Sequence, residues 1–412
     1  MCFCAKSFLL AQNIDMSEDI DDIEIRLNPE LGSTTLSSQS DYSKYPYIRY
    51  DLNKIEMNGD NWSELANKLS QSRVNGDFTI VNIGDSHIQA DGNTGTTRKR
   101  FQKEYGDAGR GVIIPFKLAG TNEPLDYSIS SVSPFVKATL LRQPWATRMG
   151  FTGVSLHPET QEFSCTLKIK SPCGYFTILA DGNPEVIAVT SGTEEISFES
   201  EPIDGGVEVS LQKDCTELKI DMRGNDVNIY GFDLRNDSHG VLYHAIGNNG
   251  AAYASYNALP DFGKSVATLT PDLIILSLGT NEAFGRFDSE AFTAQITDMV
   301  RKLKNAMPEA KLLLVTPAEC QKSVYTGSRR RRRTRTYQVN NNVVKARNVI
   351  IEYGRKNNIP VYDFYAVAGG EGSSSKWLSD KLLSSDRIHR TWEGYRVDGN
   401  LMYDALIGAL KK

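Results

Sequence analysis

Apolar residues along this chain fall into two rhythms, and the change between them divides it. Near-continuous apolar runs occupy 78–83, 241–246, 273–278, 311–315 and 359–364, the pattern of strands buried on both faces. Between them the period lengthens to that of a helix. One helix is expected through 97–105. Phe292, Ile296, Met299, Val300, Leu303 and Met307 share one helical face before Pro308 ends the pattern. Val343, Ala346, Ile350 and Tyr353 repeat that spacing, and Leu401, Ala405, Leu406 and Ala409 close the chain. Alternating strands and helices predict an α/β fold around a parallel sheet covered on both faces.

A stretch from about 126 to 237 breaks the rhythm. It shows no helical period but short β-branched or alternating runs at 163–170, 175–179, 195–199, 206–211 and 217–221, separated by Asp181-Gly182 and Asp204-Gly205-Gly206. Such spacing predicts a β-sandwich inserted into the α/β part. The expected organisation is therefore a leader and linker at 1–40, a first α/β part at 41–125, the insert at 126–237 and a second α/β part at 238–412.

Composition fits this picture. At 412 residues the chain is long for one domain of roughly 150 residues, and its 40% hydrophobic and 24% charged content is that of a globular protein. A net charge of −5 argues against a nucleic-acid binder, which needs a clustered cationic surface. The exception is Arg329 to Arg333 with Arg335, six cations that cannot pack and so predict an exposed loop, solvated by default or a lip attracting anionic polymers. No run reaches the roughly 18–20 apolar residues of a membrane span. Met1 to Gln12, with one lysine, a short apolar core and a small residue before Gln12, resembles the rear half of a secretory signal, which predicts a secreted, periplasmic or cell-envelope protein. Residues 13–40, rich in Asp, Glu and Ser, read as a linker. The six cysteines form neither a disulfide framework nor a metal-spaced cluster, although Cys165, Cys173 and Cys215 lie close enough in sequence for one bridge.

In a parallel α/β sheet the loops after the strands carry the chemistry. Four such loops stand out: Gly84-Asp85-Ser86-His87, Gly247-Asn248-Asn249-Gly250, Gly279-Thr280-Asn281-Glu282 and, before the last helix, Asp386-Arg387-Ile388-His389. A serine hydroxyl becomes a competent nucleophile when an imidazole accepts its proton, and a carboxylate sets that imidazole's tautomer. Ser86, His389 and Asp386 are candidates for the three parts. Asp85 is the rival carboxylate, but beside an inward-facing Ser86 it should point elsewhere and bond its own loop.

In that order the four loops resemble the blocks of the SGNH (GDSL-type) hydrolase family, over about 60–125 and 239–412. The resemblance implies a flavodoxin-like three-layer α/β/α fold with a parallel sheet, interrupted by the inserted, jelly-roll-like β-sandwich. It also implies Ser86 as nucleophile, His389 as general base, Asp386 as its partner, and an oxyanion hole from the N–H groups of Ser86 and Gly250 and the Asn281 amide. Gly250 fits better than Gly247, because it directly precedes the residues that begin the next helix. Gly-Thr-Asn-Glu occurs twice, at 120–123 and 279–282. The strand before and the helix after favour Asn281, with Asn122 as the alternative.

His87 departs from the commoner Gly-Asp-Ser-Leu. Gly-Asp-Ser-His is similar to a branch of esterases removing O-acetyl groups from bacterial cell-wall polysaccharide, some with an inserted sandwich resembling a carbohydrate-binding module. His87 would then either position substrate or support the turn, whereas His157, His239 and His244 lie in no motif. The resemblance implies hydrolysis of acetyl esters on a polysaccharide or peptidoglycan, without metal or organic cofactor, and the charge balance predicts no nucleic-acid partner. No obligate protein partner is evident. An acetyltransferase using the same acyl-serine, or a non-catalytic sugar-binding protein, are the alternatives. Trp145, Phe151 and Tyr175 are aromatics in or near the insert that could stack on sugar rings.

Overall fold

The computed structural model describes residues 44–326 and 334–411, which form one compact unit. The candidate leader, Cys2, Cys4, and Arg329 to Arg333 lie outside the described residues.

A six-stranded sheet organises the α/β part in the order Ile55–Glu56, Val361–Tyr362, Lys311–Val315, Leu273–Ser277, Phe78–Gly84, Val241–Gly247. The last five are parallel, and the short first strand is antiparallel at the edge. Numbered along the chain, the parallel strands lie in the spatial order 2-1-3-4-5, the flavodoxin-like arrangement whose ligand crevice opens between the first and third strands. Those are the strands preceding Ser86 and Asn281.

Strand pleating sends successive side chains to opposite faces. Val81, Ile83, Ile274 and Leu276 therefore pack in one core with helices Ser289–Ala306 and Asn342–Asn357. Phe78, Ile80, Leu273 and Ile275 pack on the other side with Phe101 and with Leu401, Ala405 and Leu406 of helix Trp392–Leu410. Asp288 caps helix Ser289–Ala306 by accepting from the N–H groups of Glu290 and Ala291. The expected strand at 359–364 is shorter, Val361–Tyr362, because Asp363 accepts from the N–H of Ala366 and starts a helical turn, Phe364–Val367.

The connection between the first two parallel strands contains a ten-stranded antiparallel sheet. It begins earlier than 126, since Gly111–Ile113 pairs with Asn228–Arg235. The expected runs at 163–170 and 175–179 fuse into one strand, Glu162–Asp181, and those at 206–211 and 217–221 into Gly206–Arg223. Pro172 cannot donate to a ladder, and the register between these strands slips on both sides of Cys215. The long strands thus continue through an irregularity at 171–174 instead of ending there. Residues from both halves, such as Leu167 and Phe176, meet in one core. Cys165, Cys173 and Cys215 are buried free thiols, so the bridge that their closeness in sequence allows is not formed.

Two features join the sheets. The Val112 N–H donates to buried His244 Nδ1 at 3.2 Å, and burial pushes that imidazole down to about 4, keeping it neutral. Buried Asp91 bridges Arg98 (2.7 Å) and Arg110 (2.7 Å), and Arg110 also pairs with Asp126 (3.0 Å). Removing one member of such a network strands the others in a low-dielectric interior. Asp91→Ala should therefore destabilise the fold by about 3–5 kcal/mol, measured by chemical denaturation.

Candidate active site

The nucleophile loop follows from the end of its strand. Gly84 closes a fully buried strand. Asp85 then starts the short helix Ser86–Gln89, its side chain accepting from the His87 N–H at 2.9 Å. As the first helical residue, Ser86 has an N–H without an intrahelical acceptor.

On the far side of the chain, residues 384–389 form a tight turn with Arg387 at φ +64°, closed by the Ser384 N–H to His389 O at 2.8 Å. Asp386 Oδ1 accepts from the N–H groups of Ile388 (2.8 Å) and His389 (3.0 Å). Its other oxygen lies 2.8 Å from His389 Nδ1, and His389 Nε2 lies 2.7 Å from Ser86 Oγ. With Asp386 holding the Nδ1 proton, Nε2 is the acceptor for the serine hydroxyl. Burial works to raise the Asp386 carboxyl, but the hydrogen bond and charge of His389 and the two N–H groups outweigh it and hold it below the usual carboxylate range. Helix Trp392–Leu410 is capped by Thr391, so Asp386 is not its cap. Both side chains are mostly but not fully covered, 19% exposed for His389 and 22% for Asp386.

Asp85 is buried; its Oδ1 bonds its own loop at the His87 N–H, and its Oδ2 faces the third loop, 3.4 Å from Asn281 Nδ2. Burial pushes its carboxyl up to about 6. The Asn281 amide also donates to Ala251 O at 2.9 Å, tying the third loop to the second. Gly250 has φ +77°, a left-handed conformation that glycine adopts without strain. The second loop is tied to the first by the Asn249 N–H to Gln89 Oε1 (2.7 Å) and the Asn248 N–H to Gly84 O (3.3 Å). Asn122, the alternative to Asn281, accepts through Oδ1 from Asn249 Nδ2 at 2.7 Å and from Gln89 Nε2 at 3.2 Å. It braces the second loop. His87 Nδ1 lies 3.2 Å from the Tyr395 hydroxyl, with its ring centroid 5.3 Å from that of His389. Burial, with the charges of His389 and Arg390, pushes its imidazole well below the ordinary value, so it is neutral.

Spacing did not mark Gln89, Thr121, Asn249, Tyr395 or Glu282 as site residues. Glu282 is the most telling: its Oε1 accepts from the Tyr253 N–H at 2.7 Å, fixing the helix after the second loop, while Oε2 is buried without a partner among the described residues. Burial pushes this carboxyl up to about 7. Because its folded value exceeds the unfolded one, the folded state keeps the proton longer, and the contribution to stability is lost as pH rises through about 7. Glu282→Gln keeps an acceptor and removes the charge. It should stabilise the protein by on the order of 1–3 kcal/mol at pH 9 with little effect at pH 5, seen in denaturation at the two pH values.

Behind the loops a cavity is lined by Asp85, His87, Thr280, Ile388 and Arg390, all chain neighbours of Ser86, Asn281 or His389, and by Asp398 of the last helix. Arg390 pairs with Asp398 at 3.0 Å and sits over the Trp377 ring at 4.3 Å, anchoring the segment after His389. Of the aromatics noted for stacking, Phe151 is buried and Trp145 is half-buried with its indole N–H on Leu140 O. Among the described residues no group of three or more His, Cys, Asp or Glu is set to hold a metal ion, and no helix is long and apolar enough to cross a membrane.

A five-strand parallel sheet in flavodoxin order, with a Ser-His-Asp chain at its switch point, defines the SGNH hydrolase class. Residues 228–397 match the GDSL-like Lipase/Acylhydrolase family, so the chain carries a domain of that family and is a carboxylic ester hydrolase by class. The match contains the last three loops. The loop with Ser86 lies before it, beyond the inserted sheet. Among solved structures, the chain is similar to one described as "Peptidoglycan O-acetylesterase in action, 5 min", at TM-score 0.69 and 22% identity over 86% of this chain and 97% of that one. It is also similar to the lipase/acylhydrolase from Enterococcus faecalis, at TM-score 0.30 and 21% identity over 41% and 77%. No curated protein matches by sequence.

Proposed function

We propose that this protein is a serine esterase that removes acetyl groups from carbohydrate hydroxyls, the substrate being an O-acetylated polysaccharide or peptidoglycan. The observation carrying this reading is the chain from Ser86 Oγ to His389 Nε2 (2.7 Å) and from His389 Nδ1 to Asp386 Oδ2 (2.8 Å).

In the first half-reaction Ser86 Oγ attacks the ester carbonyl carbon while Nε2 takes its proton. The new imidazolium is stabilised by Asp386. The tetrahedral oxyanion accepts from the N–H groups of Ser86 and Gly250 and from the Asn281 amide, whose contact to Asp85, long at 3.4 Å, is weak enough for an oxyanion to displace. Collapse breaks the bond to the sugar oxygen, which leaves as the alcohol with the proton from Nε2. In the second half-reaction Nε2 deprotonates water, water attacks the acetyl-serine, and acetate departs as Oγ regains its proton. Neutral His87, beside His389, serves as a substrate contact.

The substrate class is supported by the fold shared with a protein named for peptidoglycan O-acetyl groups, a likeness that extends over the inserted sheet. A peptidoglycan substrate would place the protein's action in the cell envelope. The test is acetate release from O-acetylated peptidoglycan, xylan and pectin, with Ser86→Ala as control. Release from at least one glycan, lost in the variant, is expected; no release from any would overturn the substrate class. Adding an acceptor sugar separates hydrolysis from transfer, since acetyl moving to the sugar in preference to water would make the protein a transferase.

A further inference from the structure

The inserted sheet does not stand apart from the catalytic loops. Strands Phe135–Thr139 and Val154–Pro158 pair as an antiparallel hairpin, and their connection, 140–153, leaves the β core. Its Leu140, Met149 and Phe151 are buried in the core on one face of the parallel sheet, with Val81, Ile83 and Ile246. The loop is closed by the Leu140 N–H to Gly153 O at 2.8 Å. Arg148 pins it to the insert through Asp181 (2.7 Å) and Asp226 (2.9 Å). On the catalytic side Asn248 Nδ2 donates to Thr152 O at 2.9 Å. Connections this long without secondary structure of their own are uncommon and often functional.

What this anchored loop presents is specific. Leu141, Arg142, Gln143 and Pro144 are all exposed, yet Leu141, at 48% exposure, reaches back to Gly250. A Cβ placed on that glycine would lie only 2.8 Å from Leu141 Cδ1. An exposed apolar side chain thus rests on the residue whose N–H is proposed to hold the oxyanion, followed in the chain by an exposed guanidinium and an exposed amide.

We propose that residues 141–144 form a saccharide-binding lip of the active site, gripping the sugar that carries the acetyl group. A pyranose offers apolar C–H faces and hydroxyl edges. Leu141 and Pro144 match the faces, and Arg142 and Gln143 match the edges. Because the loop is already fixed, little ordering entropy is lost on binding, and binding energy away from the reacting bond can be used to orient the ester. This inference rests on the esterase reading above and assigns the sugar side of that same site.

The test compares kcat/KM for an acetylated oligosaccharide with that for an aryl acetate, in wild type and in the tip variants Leu141→Asp and Arg142→Ser/Gln143→Ser. Both sets lie on exposed positions and leave the loop's anchors in place. The lip predicts that the ratio of glycan to aryl activity falls at least about tenfold in Leu141→Asp, mainly through KM, and by a smaller factor in the double variant. An unchanged ratio in both overturns it. So does a ratio that holds while the preference among acetyl, propionyl and butyryl aryl esters changes, since the tip would then face the acyl group. If wild type releases no acetate from the oligosaccharide while cleaving the aryl ester, the carbohydrate reading fails and the lip falls with it; if wild type is active on both, failure belongs to the lip alone.

Discussion

Ser86→Ala is expected to lower kcat for an aryl acetate by at least about 10⁴-fold while leaving the far-ultraviolet spectrum and denaturation midpoint close to those of wild type. The magnitude follows from losing the covalent route, after which only binding and any oxyanion stabilisation remain. Stability should be spared because Oγ is half-buried and its described bond is to His389. The backbone of the turn is held by other groups, with Asp85 accepting from the His87 N–H. The measurement is steady-state kinetics on variant protein purified free of wild type. Retention of more than about one per cent of kcat would remove Ser86 from the nucleophile's role.

Asp386→Asn should cost roughly 10³–10⁴-fold in kcat with little change in KM. The effect is subtler than loss of a charge. Asp386 Oδ1 accepts from the N–H groups of Ile388 and His389, and an asparagine carbonyl can keep both bonds, so the turn should survive. Its NH₂ would replace Oδ2 opposite His389 Nδ1, now 2.8 Å away. A donor facing Nδ1 selects the tautomer with its proton on Nε2, and such a ring cannot accept from Ser86. Asp386→Ala would remove the turn's bonds as well. Comparing the two variants by kinetics and denaturation separates tautomer control from turn integrity: similar kcat losses with unequal stability losses are expected. Full activity in Asp386→Asn would point to another carboxylate, and Asp85, buried at the first loop, would be the one to test.

How much of this was legible in the sequence depends on the range over which each signal acts. The parallel strands are buried on both faces, so each reads as an apolar run by itself, and helices such as Ser289–Ala306 announce themselves by spacing. The four loops could be placed because each lies at a strand end or before the last helix. The turn at 384–389 was legible as a condition: Asp386 reaches the imidazole only if three residues close tightly, which the left-handed Arg387 permits. The bracing of the site was not legible. Gln89 meets Asn249 across the whole inserted sheet, and Thr121 meets Asn249 across all of it but the strand Gly111–Ile113, and no local pattern encodes such a pairing. The Gly-Thr-Asn-Glu at 120–123 illustrates this. Its context read as a connecting loop, and it is one, yet Thr121 and Asn122 serve the second catalytic loop. The fused strands escaped for a different reason. Pro172 and Gly174 lie in the gap between the two apolar runs, while the pairing partner Gly206–Arg223 carries the ladder past them by shifting register. The 140–153 loop has no period at all, because Leu140, Met149 and Phe151 pack into a core built by distant segments.

The reading turns on whether an acetyl group passes through Ser86. Rapid acid quench of wild-type protein mixed with an O-acetylated glycan, followed by proteolysis and mass analysis, reads this directly. An acetyl adduct on Ser86 that appears within the first turnover and decays as substrate is exhausted is the predicted result. Acetate release at the same rate with the adduct on another residue would contradict the account.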